Sequence, residues 1–179
     1  AGFAGDALFQ PMPISLPPGQ TTDIVNLSGP KTLGTIQVEM PKAVVPLLEQ
    51  ITWEVTWDDE TTPAIQLPMS EFFMTSLETA EDGNASLGYA VKEVNSLVQL
   101  EFRVPAAFSK NARFVARNDN PIAVDFNLFM RGISSVPSEP FGYLFIERNE
   151  TVAPAPGKTH PIADVTGRGK WAGTCMLLE

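Results

Sequence analysis

Cysteine and histidine are almost missing. Cys175 and His160 are the only ones among 179 residues. An internal disulfide framework, a thiolate metal site, a multi-histidine metal centre and a histidine-based triad are therefore excluded within this chain. Cys175 falls in the apolar run WAGTCMLL and reads as a small buried hydrophobe. Positive charge is sparse as well. Twelve Lys and Arg face 21 Asp and Glu, a net charge of −9, and the cations are scattered singly. Neither a nucleic-acid backbone nor an anionic membrane surface finds a complementary face here. No apolar run approaches the roughly 20 residues that cross a bilayer. Two apparent motifs also fall short. TGRGKW at 166–171 lacks the G-x-x-x-x-G-K-[ST] phosphate-loop pattern and opens no helix. The acidic run Asp58-Asp59-Glu60 lacks EF-hand spacing. No metal and no cofactor is expected.

What is present points to an all-β fold. Hydrophobic residues make up 44 % and charged residues 18 %, enough apolar mass for a core and too little charge for a disordered chain. Sixteen prolines and thirteen glycines suit many short strands joined by turns. In ITWEVTW at 51–57, Ile51, Trp53, Val55 and Trp57 alternate with Thr52, Glu54 and Thr56, the period-two mark of a strand with one buried face. DDETT is its turn, and AIQLP is a short strand closed by Pro68. TTDIVNLSG and TLGTIQVEM form two strands broken at Gly29-Pro30. SLVQLEFRV, ARFVARND, IAVDFNLFMRG, FGYLFIERNE and WAGTCMLLE read as further strands, with Asn118-Asp119-Asn120-Pro121 a strong turn signal. SEFFMTSLE is a helical turn or ordered loop, and no long helix is expected. Residues 1–19, rich in Gly and Pro, read as an arm, and the strand spacing that follows resembles a β-sandwich, for which a jelly roll is the commonest plan at this size.

The chain opens Ala-Gly-Phe without an initiator Met, so it reads as a processed or trimmed product. Three sequons, at Asn26, Asn84 and Asn149, are glycosylation candidates that fit a secreted protein.

Candidate site residues gather at 51–73. Trp53 and Trp57 share one strand face and are either core or, for Trp57 beside the loop, a platform for a sugar ring. The run from Asp58 to Glu60 is a solvated turn, a calcium ligand set or the holder of one catalytic carboxylate. Glu71 stands between Met69 and the Phe72-Phe73 pair, where apolar neighbours would raise a carboxyl pKa. Sugar hydrolysis uses two carboxylates at a defined separation, which sequence cannot supply. Arg103, Arg113 and Arg117 fall on exterior strand positions.

Four stretches in order carry a resemblance. They are LSGPKTLGTIQVEM at 27–40; Trp57-Asp58-Asp59-Glu60 with Pro63 and LPMSEFF; VPAAFSKNARFVARND at 104–119; and GRGKWAGT at 167–174. Together they resemble the glycoside hydrolases that include difructose-anhydride synthase/hydrolases and α-D-fructofuranosidases. That resemblance implies two jelly rolls per chain, the first over 20–132 with a C-terminal extension over 133–179 leading into the second, assembled as trimers or their multiples. GRGKWAGTCMLLE would then open the second roll, with its apolar strand paired in this chain or with another. It also makes Trp57, Asp58 and Glu71 candidate pocket lining. The family's Asp before the paired Phe is Glu71 here, and its GHY is Gly169-Lys170-Trp171. Its G-T-E-D-Y-F stretch, which carries a catalytic acid, has no counterpart, so catalytic carboxylates are expected outside this chain. Jelly rolls also build virus capsids. A structural, self-assembling subunit and a carbohydrate-binding module therefore stand beside the hydrolase reading, with an extracellular or virion location.

Overall fold

A computed structural model describes residues 6–7, 11–75, 88–137 and 141–149, with the single residues 157, 166, 170 and 172. Eleven strands are described: β1 (Asp6–Ala7), β2 (Met12–Leu16), β3 (Thr21–Ser28), β4 (Lys31–Pro41), β5 (Ile51–Trp57), β6 (Ile65–Pro68), β7 (Tyr89–Val94), β8 (Leu97–Phe102), β9 (Ala106–Phe108), β10 (Asn111–Asn118) and β11 (Val124–Ile133). They form two antiparallel sheets. The larger runs β1-β11-β4-β8-β7, with β2 also on β11 and β9 on β4; the smaller runs β3-β10-β5-β6.

The pairing is nested. Strand β2 pairs with β11, β3 with β10, β4 with β8 and β5 with β6. Early strands pair with late ones, inward to a central hairpin, as a long hairpin rolled over itself would. Eight strands so wound are a jelly roll, and the all-β sandwich expected from the alternating patterns is what forms.

Alternation decides which faces meet. Along β5 every odd position is buried, and Trp53 and Trp57 both lie inside. Ile36, Val38 and Met40 of β4 and Val124, Phe126, Leu128 and Met130 of β11 face them from the larger sheet. A one-turn helix, α1 (Met69–Phe72), drops Phe72 between the sheets. Its ring stacks on Phe102 of the larger sheet at 4.5 Å and meets Trp53 of the smaller at 6.1 Å. A 3-10 helix, Lys42–Gln50, closes one end and buries Leu48. Its sequence KAVVPLLEQ sets Val44, Leu47 and Leu48 at helical spacing, but it is short and Pro46 inside it removes an amide donor, and no element was expected there.

Two expectations need correcting. The arm over 1–19 is in part sheet: β1 and β2 both pair with β11. MPISL is short, with Pro13 inside it. Its partner lies more than a hundred residues downstream, beyond the reach of a local pattern. FGYLFIERNE is not a regular strand. Among the described residues one parallel bridge, Ile65 to Ile146, is all the ladder it makes; β6 offers only four residues and ends in Pro68, which has no N–H to give. The expected strand WAGTCMLLE, with Cys175 and His160, lies outside the described residues.

Gly29 shows why the chain turns where it does. Its N–H donates to the Lys110 carbonyl at 2.6 Å, and a Cβ there would sit 2.7 Å from the Ser109 carbonyl oxygen. Backbone cannot swing aside as a side chain can. Gly29→Ala is expected to cost about 2 kcal/mol of stability, read as a lower urea midpoint at unchanged slope.

Candidate functional site

The three residues singled out in the sequence lie along one side of the smaller sheet, and the segment 141–149 crosses all of them. Trp57 ends β5 at 2 % exposure. Its ring stacks on Phe108 at 6.0 Å and takes the edge of Phe114 at 6.1 Å. Its indole N–H donates to the Leu144 carbonyl at 2.7 Å. Covered in this way, Trp57 offers no face to a sugar ring, and the stacking-platform reading does not fit its surroundings. Trp53 is equally buried, and its N–H has no partner among the described residues.

Asp58 and Asp59 follow in the left-handed region, with φ of 49° and 65°. The Glu60 amide donates back to the Trp57 carbonyl at 3.0 Å. Positive φ at both central residues marks a type I′ turn, a conformation that Asp tolerates better than most. The turn aims the Asp58 carboxylate at the loop between β9 and β10. Its Oδ1 accepts from the amides of Lys110 at 2.6 Å and Asn111 at 3.0 Å. Its Oδ2 accepts from the Ser109 amide at 2.9 Å and the Tyr143 hydroxyl at 2.7 Å. Burial alone would raise this carboxyl's pKa. The Lys110 amide, the Tyr143 hydroxyl and the Ser109 and Asn111 amides outweigh it and hold the pKa below the ordinary 3.8.

Glu71 sits on α1 with both oxygens near Arg148, whose Nε lies 2.9 Å from each. The expected apolar surroundings are not what it meets: the carboxylate points toward solvent and a guanidinium, at 30 % side-chain exposure. Between these contacts the Ile146 amide donates to the Ala64 carbonyl at 3.1 Å. Residues 143, 144, 146 and 148 thus lace the segment onto Asp58, Trp57, Ala64 and Glu71 in turn.

This arrangement suits holding better than chemistry. A carboxylate has about four lone-pair sites, and the four bonds to Asp58 take them all. Its lowered pKa keeps it ionised near neutrality, with no proton to give. Glycosidic cleavage asks one carboxyl for a raised pKa and another for free access to the sugar, and Asp58 meets neither demand. Sequence reasoning passed over Tyr143, Leu144 and Arg148. The signal available was the alternation in FGYLFI, which shows a two-faced segment but not its partner.

Among the other candidates, Asn26 on β3 and Asn149 are exposed, and Asn84 lies outside the described residues. Arg103, Arg113 and Arg117 are exposed and paired with Glu101, Asp23 and Asp119. Among the described residues no three of His, Cys, Asp and Glu converge on a metal-sized site, and no helix is long and apolar enough to cross a membrane.

A family model described as GH172 domain-like matches residues 7–120. The match takes in β2 to β10 and all three candidates. It leaves β11 and the 141–149 segment outside. No curated protein matches the chain.

Proposed function

The chain belongs to the GH172 domain-like family of glycoside hydrolase relatives, and on that premise we propose that it is the jelly-roll part of an α-furanosidase-type assembly whose catalytic carboxylates are supplied from outside Asp58 and Glu71. One observation carries this reading: both carboxylates are engaged in holding neighbouring chain, Asp58 by three amides and a hydroxyl, Glu71 by Arg148. In this role Trp57 and Asp58 hold the loops of the smaller sheet in place, and the assembly is either trimer-based or completed by a second chain. The same engagement of Trp57 weighs against a binding module built on that residue.

The test is the mass of natural material, native and then denatured. A second chain, or a polypeptide running past Glu179, is the expected result. Closed particles made only of copies ending at Glu179, with no glycosidase activity, would replace this reading with the structural, capsid-like one.

A further inference from the structure

The larger sheet carries a feature that the reading above does not use. A groove of about 330 Å³ lies on its outer side, between β2, β4, β8 and β11, within the size range of small-ligand sites. Alternation puts polar side chains there. Val124, Phe126 and Leu128 are buried, so Asp125 and Asn127 turn outward. Register then sets Asn127 directly beside Glu39, and Glu39 beside Gln99. Directly opposed residues have Cβ atoms about 5 Å apart. The Gln99 Nε2 donates to Glu39 Oε2 at 2.7 Å, which fixes that carboxylate and leaves its other oxygen able to accept. Pro13, Pro41 and Leu97 supply apolar walls.

We infer that this groove binds one ring of a neutral sugar. Carboxylate and side-chain amide next to each other accept from and donate to neighbouring hydroxyls. The proline and leucine walls meet the ring's C–H face. None of the lining residues is cationic, so an anion finds no partner and two carboxylates repel it. A simple cation would have no use for the amide donor of Asn127. The site lies on the opposite sheet from Trp57, Asp58 and Glu71, and it does not depend on where the catalytic carboxylates reside.

The test is a titration followed by the side-chain amide NMR signals of Asn127 and Gln99. The probes are fructose, arabinose and glucose, with glucuronate and spermidine as charged counterparts. A neutral sugar is expected to shift both signals saturably in the millimolar range. Asn127→Ala and Glu39→Gln should each weaken that binding at least about tenfold, a difference near 1.4 kcal/mol, while the backbone spectrum stays that of the folded chain. Absence of a saturable shift with every neutral sugar overturns the inference. A shift with spermidine alone does so too, since it would show only an acidic surface. Binding here without hydrolysis, or hydrolysis by an assembly that leaves these signals unmoved, separates this inference from the proposed function.

Discussion

Replacing Asn118 by alanine is expected to cost about 4 kcal/mol, a large share of the 5–15 kcal/mol that holds a domain folded. Asn118 is fully buried at the end of β10. Its Nδ2 donates to the carbonyls of Leu16 at 2.8 Å and Ile122 at 2.9 Å. Its Oδ1 accepts from the Asn120 amide at 3.0 Å and from Asn120 Nδ2 at 2.9 Å. Asn120 then passes a second donor to the Leu47 carbonyl at 2.9 Å. The two side chains together tie β2, the 3-10 helix and the β10–β11 loop, Asn118 reaching β2 and Asn120 the helix. Alanine strands four polar groups at once, each costing about 1–3 kcal/mol when water cannot reach it. Asn120→Ala strands fewer and should cost about half as much. Urea unfolding of both variants checks the order. A loss below about 1 kcal/mol for Asn118→Ala would contradict the network.

Asp58→Ala is expected to cost about 3 kcal/mol. Hydrogen bonds to an ionised group are worth more than neutral ones, and four converge on this carboxylate. The Ser109-Lys110 turn is exposed, so water repairs part of the loss. The pH dependence identifies the charge as the cause. Asp58 has a folded pKa below its unfolded value of 3.8. Its contribution is therefore fully present above 3.8 and is lost as pH falls from there through the folded pKa. The gap in stability between wild type and Asp58→Ala should accordingly be constant near neutrality and narrow below pH 3.8. Asp58→Asn, with fewer acceptor sites and no charge, should fall between the two near neutrality. A gap that does not change with pH would show that lost packing, not the ionised carboxylate, is responsible.

The β-sandwich was legible because half-buried strands declare themselves locally. ITWEVTW, TLGTIQVEM and IAVDFNLFMRG each write their inward face in period two, and each is a strand near its expected bounds. Elements whose reason lies far off in sequence were not legible. MPISL is a strand because of β11, and KAVVPLLEQ takes its shape from filling the open end of the sandwich. The candidate site shows the same division. Trp57, Asp58 and Glu71 were found because their residue types and order are distinctive. Their roles were not found, since those depend on Ser109, Lys110, Tyr143, Leu144 and Arg148, which only the fold brings near. Asn118 and Asn120 show it again: the residue types that announced a turn also provide the side chains that lock it to two other elements.

The central proposal is that Asp58 and Glu71 hold structure and do not cleave glycosides. Its most direct test is the purified chain, shown folded, assayed against aryl α-furanosides and α-pyranosides. The account predicts release of the aryl group no faster than in buffer. Turnover by the chain alone, abolished in Glu71→Gln while that variant keeps its fold, would contradict it.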